Sequence, residues 1–139
     1  MSKVKVLIVD DEPSIVEIAK ALLQDIGYEV FTAENGEDGL NCLKEHVDID
    51  CVISDINMPV MDGIDFIKGA RDHSIEIPFI FFTGHGDHEL LKEGVKYGAF
   101  DFINKPDFTS VIDSIAVGVS NGFGLSINES PSALSLSKD

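Results

Sequence analysis

Asp10 and Asp11, Asp55, Thr83 and Lys105 each stand at or just beyond the end of a short apolar run. Singly they are ordinary: acids often close a strand, threonine is a common strand residue, and a lysine is usually a solvated charge. Brought to one crevice they would be a different object. Three carboxylates crowded without a counterion repel and push one another's pKa upward, and a bound cation resolves that conflict. Hard oxygen ligands, few and open to water, suit Mg²⁺, with Mn²⁺ as an alternative. A carboxylate nucleophile beside such an ion is the arrangement that forms an aspartyl-phosphate. Lys105 and Thr83 would then offer a cation and a hydrogen bond to phosphoryl oxygens.

For these side chains to meet, the runs that carry them must lie side by side and point the same way. Val4 to Val9 is rich in β-branched residues and stops at Asp10, which reads as a strand buried on both faces. Pro13 stands where a helix places its first residue, and Ile15, Ile18/Ala19, Leu22 and Ile26 recur at helical spacing before Gly27. Tyr28 to Ala33 reads as a second strand. Asn35 can cap a helix whose Leu40, Leu43 and Val47 share a face, with Gly36 and Gly39 weakening it. Cys51 to Ser54 is a third strand, and a helix from about Asp62 carries Ile64, Ile67 and Ala70/Arg71 on one stripe. Phe79 to Phe82 is a fourth strand, and Leu90, Leu91 and Val95 mark the following helix. Ala99 to Ile103 is a fifth, before a last helix with Phe108, Val111, Ile112 and Ile115 facing inward.

Short strands alternating with helices require a parallel sheet with right-handed crossovers and both faces covered, an α/β doubly wound fold. All strand ends then share one edge, and ligands bind there where the strand order reverses. From about Gly122 the pattern dissolves into Gly, Ser and Asn. Residues 1–121 therefore read as the domain and 122–139 as a Ser-rich flexible tail or linker.

Composition narrows the class. The 139 residues are 44% hydrophobic and 25% charged, the balance of a single globular domain. A net charge of −15 repels phosphate backbones and anionic lipid, so neither nucleic acid nor membrane is an expected partner. Cys42 and Cys51 form no CxxC or metal-ligand spacing and read as two buried thiols. No apolar run approaches the ~18 residues of a membrane span, and a cytoplasmic home is the expectation.

The segments VLIVDDEP, VISDINMPVMDG, FIFFTG and YGAFDFINKP, in that order and spacing, resemble the receiver domain of two-component response regulators over about residues 3–119. The resemblance implies the flavodoxin-like sheet of five parallel strands in the order 2-1-3-4-5 with five helices. It makes Asp55 the phosphoryl acceptor. Asp10, Asp11, Asp55 and the backbone carbonyl of Asn57 become the Mg²⁺ ligands, and Lys105 the family's invariant lysine. Thr83 is similar to the switch hydroxyl, and Phe102 to the aromatic residue that turns inward on activation. The Lys105-Pro106 bond is expected to be cis.

Departures from the pattern locate the specifics. Gly84 follows the switch hydroxyl where a small residue, often Ala, is usual, so this loop should be more mobile. Asn57 and His85 occupy the variable positions flanking the acceptor, where control over phosphoryl lifetime is expected. No Lys or Arg lies between Lys105 and Lys138, which argues against the charged dimer face of receivers attached to winged-helix domains. Ser110, Asp113, Ser114 and Val117 are expected on the outer side of the last helix, a surface suited to a target protein or a second copy, giving a homodimer. The expected function is a stand-alone, chemotaxis-like regulator phosphorylated by a histidine kinase or phosphotransfer protein. Its signal would leave through the face of the fourth helix, fifth strand and last helix. A receiver cut from a longer hybrid kinase is the nearest alternative. An Mg²⁺-dependent acid phosphatase would want an acid two residues after the nucleophile, where the neutral Asn57 stands. Apart from taking up and losing its own phosphoryl group, the chain is not expected to be an enzyme.

Overall fold

The computed structural model describes residues 3–84 and 88–120. His85 and the expected tail 122–139 lie outside the described residues. Strands and helices alternate: β1 (Lys5–Val9), α1 (Pro13–Ile26), β2 (Glu29–Ala33), α2 (Gly36–Glu45), β3 (Cys51–Ser54), α3 (Gly63–Asp72), β4 (Phe79–Thr83), α4 (His88–Lys96), β5 (Asp101–Asn104) and α5 (Phe108–Ser120). The strands form one parallel sheet in the order β2-β1-β3-β4-β5.

The period of two along each strand sorts the core into two layers. Leu7 and Val9, Val52, Phe79 and Phe81 face α2 and α3, where Leu40, Leu43, Phe66 and Ile67 close over them. Val6 and Ile8, Cys51 and Ile53, Ile80 and Phe82 face Ala19 and Leu23 of α1 and Val111 and Ile115 of α5. Strands apolar at every position are thus covered on both sides, as continuous β-branched and aromatic runs require.

Local signals set the helix ends. Pro13 opens α1, and Gly27, at φ 110°, closes it with its N–H donated to Gln24 and Leu23 carbonyls. Asn35 caps α2 by accepting from the Asp38 N–H at 2.9 Å. At α5, Asp107 accepts from the Ser110 hydroxyl at 2.7 Å and its N–H at 3.1 Å. These two donors, the hydroxyl first, hold the Asp107 carboxyl below its ordinary value of 3.8. The cap's contribution is therefore present above 3.8 and is lost as pH falls through the depressed value. A carboxyl ¹³C titration should place the Asp107 midpoint below 3.8, and Ser110→Ala should move it back up. An unmoved midpoint in that variant would break the assignment.

Several sequence expectations are corrected here. Gly36 and Gly39 do not merely weaken α2. A Cβ at Gly36 would lie 2.7 Å from the Met61 carbonyl oxygen, and one at Gly39 would lie 2.8 Å from the Phe66 ring. Val47 falls beyond the end of α2 and is exposed, because the helix stops at Glu45. On α1 the sheet takes Ala19 and Leu23, leaving Ile18, Leu22 and Ile26 outward; the small Ala19 lets the helix approach closely. Val95 of α4 is also exposed, and its neighbour Gly94 is buried. Strand β5 starts two residues later than Ala99. Ser114 is not on the outer side of α5 but fully buried, its hydroxyl donated to Asp101 at 2.9 Å.

Candidate functional site

The strand order reverses at β1 and β3, and the loops leaving their carboxyl ends build the site. Asp10 continues β1 by donating its N–H to the Ala33 carbonyl at 3.1 Å. Its Oδ1 accepts the Glu12 N–H at 3.0 Å, tightening the turn into α1. Asp55 extends β3 by one residue, its N–H donated to Val9 at 2.9 Å, and its Oδ1 accepts the Ile56 N–H at 2.7 Å. Asp55 is only 6% exposed and Asp10 only 3%. The loop after Asp55 returns onto itself: the Gly63 N–H reaches the Ile56 carbonyl at 2.7 Å, and a Cβ at Gly63 would stand 2.2 Å from the Asp55 carbonyl oxygen.

Lys105 enters from the other side. Its backbone N–H bonds Thr83 at 2.9 Å, joining the ends of β4 and β5, and the Lys105-Pro106 bond is cis as expected. The ammonium lies 2.9 Å from Asp10, 3.1 Å from Asp55 and 2.6 Å from Glu12. Glu12 is the participant that sequence reasoning missed; the acid run Asp10-Asp11-Glu12 was the available signal.

One carboxylate oxygen each from Asp10, Asp11 and Asp55 lies within 4.8 Å of the others. Burial pushes the Asp10 carboxyl up, aided by the Asp55 charge and opposed by the Glu12 N–H and Lys105. Burial alone would lower Lys105, but its hydrogen bonds to Glu12, Asp10 and Asp55 outweigh it and hold the ammonium above its ordinary value. One cation thus offsets part of a dense negative field, and the three aspartates could hold a metal ion.

The remaining expected residues fall around this centre. Thr83 is buried at the end of β4. Asn57 is exposed two residues beyond Asp55. Phe102 stacks on Phe81 with centroids 5.6 Å apart, tucked under α4 where a Cβ at Gly94 would come within 3.1 Å of its ring.

A family model described as the response regulator receiver domain matches residues 6–116. The chain belongs to that family. Response regulator SaeR of Staphylococcus epidermidis is 39% identical over 100 residues, covering 72% of this chain and 43% of that protein. The probable transcriptional regulator ycf27 of Guillardia theta is 43% identical over 105 residues, covering 76% and 41%. This receiver thus spans less than half the length of those curated relatives. Among solved structures, Vibrio cholerae chemotaxis protein CheY4 matches with a TM-score of 0.78 at 35% identity, covering 84% of this chain and 99% of that one. The CheY of a CheX-CheY-BeF₃-Mg complex from Borrelia burgdorferi matches at 0.77 and 32%, covering 84% and 89%. As a receiver domain, the chain belongs to two-component signal transduction. Among the described residues no helix is long and apolar enough to cross a membrane.

Proposed function

We propose that Asp55 is the phosphoryl acceptor of this receiver. The observation that carries the reading is the Lys105 ammonium 3.1 Å from Asp55 and 2.9 Å from Asp10, beside three clustered aspartates at the reversal of strand order. An Asp55 carboxylate oxygen attacks the phosphorus of a phosphohistidine on the kinase or phosphotransfer protein. The P–N bond breaks, the imidazole leaves with a proton, and an acyl phosphate forms. Asp10, Asp11, Asp55 and the Asn57 carbonyl would hold Mg²⁺, or Mn²⁺ in its place. When bound, the ion neutralises charge on the phosphoryl oxygens. Lys105 and the Thr83 hydroxyl hold those oxygens from the other side. By the family pattern, Asn57 and His85 stand at the sequence positions that set how long the acyl phosphate survives.

The test is intact mass after incubation with a small acyl-phosphate donor. A phosphoryl gain that requires Mg²⁺ is expected; no gain, or one indifferent to chelation, would reject the reading. Removing a direct carboxylate ligand should weaken Mg²⁺ by at least about tenfold, the scale seen even for outer partners of metal ligands. Asp11→Ala is therefore expected to bind Mg²⁺ that much less tightly by calorimetry, and an unchanged affinity would remove Asp11 from the ligand set.

The phosphoryl group's charge of about −2, which replaces the single charge of the carboxylate, draws Thr83 and Lys105 toward the acceptor, biasing the loops after β4 and β5. Phe102 of β5 stacks on Phe81 and lies against Gly94 of α4, so the signal leaves through α4, β5 and α5 toward a target protein or second copy. Of the α5 residues expected on the outer side, Asp113 is exposed, while Ser110 and Val117 are half-buried. Beryllofluoride with Mg²⁺ should shift backbone NMR signals from Thr83 to Val117 more than those of α1 and α2. Shifts confined to the loops around Asp55 would show a filled site that does not switch this face.

A further inference from the structure

Ser54 closes β3 as a fully buried hydroxyl, two residues after Val52 and therefore on the strand face turned to the apolar layer under α2 and α3. A hydroxyl in such a place needs a partner. It finds one on the next residue, donating to the Asp55 carbonyl at 2.7 Å. That carbonyl belongs to the peptide unit whose other end is the Ile56 N–H, and this N–H is donated to Asp55 Oδ1, also at 2.7 Å. A trans peptide is planar with its C=O and N–H pointing in opposite directions, so fixing one end fixes the other. One rigid plate thus has the Ser54 hydroxyl at one end and the Asp55 carboxylate at the other.

We propose that Ser54 is a positioning residue that aims the Asp55 carboxylate through this peptide plane, a role that rests on Asp55 being the phosphoryl acceptor. All four polar groups of Asp55 are engaged: its N–H with Val9, its carbonyl with Ser54, Oδ1 with the Ile56 N–H, and Oδ2 with the Lys105 ammonium at 3.1 Å. Two of these contacts are made by main chain and one by the ion-paired lysine, so Ser54 supplies the remaining one. Holding Oδ1 on Ile56 leaves Oδ2 to face Lys105, and it keeps the carboxylate in register with Asp10 and Asp11. Without the hydroxyl the Asp55 carbonyl loses its partner, and the plate turns toward whatever donor or water it can reach. A shift of about 1 Å at reacting atoms costs on the order of a hundredfold in rate, so a partly released carboxylate is expected to react about tenfold more slowly.

Ser54→Thr and Ser54→Val in the full chain isolate the hydroxyl, because the two β-branched side chains share a shape and differ in that group alone. Phosphoryl uptake from a small acyl-phosphate donor with Mg²⁺, followed by intact mass, should be about tenfold slower in the Val variant than in the Thr variant. Ser54→Ala, which adds no bulk, should be slower than the unaltered chain by a similar factor. Before any donor is added, the backbone NMR signal of the Ile56 N–H should move in the Val and Ala variants and keep its place in the Thr variant. Equal uptake rates in the Thr and Val variants, or an Ala variant that loses thermal stability at an unchanged rate, would make Ser54 a packing residue and overturn the proposal. Slower uptake with an unmoved Ile56 signal would overturn it too, since the effect would not pass through this peptide. These results leave the acceptor reading standing. A phosphoryl group mapped by peptide mass to a residue other than Asp55 in the unaltered chain would instead end that reading and this proposal with it.

Discussion

Asp55→Asn should take up no phosphoryl group from a small acyl-phosphate donor under conditions in which the unaltered chain is stoichiometrically modified, a total loss read by intact mass. The amide matches the carboxylate in shape and can still accept the Ile56 N–H, now made at 2.7 Å, so the loop keeps its form. What it lacks is a nucleophilic oxygen. A second readout separates lost chemistry from lost structure. The Asp55 charge is one of the causes that raise the Asp10 carboxyl, so its removal should bring the Asp10 titration down toward the ordinary range. A phosphoryl mass that survives in the variant would mean another acceptor and would end the assignment.

The largest stability effect is expected far from this edge. Arg71, half-buried near the end of α3, donates to the carbonyls of Ile75 and Ile77 at 2.8 and 2.9 Å and of Tyr97 and Gly98 at 2.8 and 3.3 Å. Its guanidinium also lies 5.1 Å from the centre of the Phe79 ring. One planar fork thus ties the turn before β4 to the turn before β5. Hydrogen bonds from a charged group are worth about 1.5–3 kcal/mol each, and water replaces some of them after truncation. Arg71→Ala should therefore cost about 3–4 kcal/mol, a large share of the ~5–15 kcal/mol typical of a domain. On this chain length that lowers Tm by about 10 °C in calorimetry. Arg71→Lys should recover little, since a single ammonium cannot span both turns. A loss below about 1 kcal/mol in the alanine variant would show that these bonds are readily exchanged for water.

The sheet was legible in the sequence because a strand buried on both faces leaves an uninterrupted apolar run, and three such runs, β1, β3 and β4, end at reactive side chains. The same spacing made the site legible. Helix faces were read less well. On α1 an outward stripe of Ile18, Leu22 and Ile26 looks more hydrophobic than the inward Ala19, and only packing against the sheet decides between them. Ser114 was misplaced because a hydroxyl carries no sign of a buried acceptor, and its partner Asp101 lies thirteen residues away on β5. Glu12 was overlooked because its contact with Lys105 spans ninety-three residues and depends on β1 and β5 ending at the same edge.

The bare Gly63 pressed against the Asp55 carbonyl means that Asp55 has two mechanical references. One is the ladder of β3, which fixes its height in the sheet; the other is the first turn of α3, which bears on its main chain from above. Strain arriving along α3 is therefore delivered to Asp55 as a displacement of its backbone. Damage to Phe66, a fully buried ring three residues into that helix, should thus register as a misaimed carboxylate as well as a softened core.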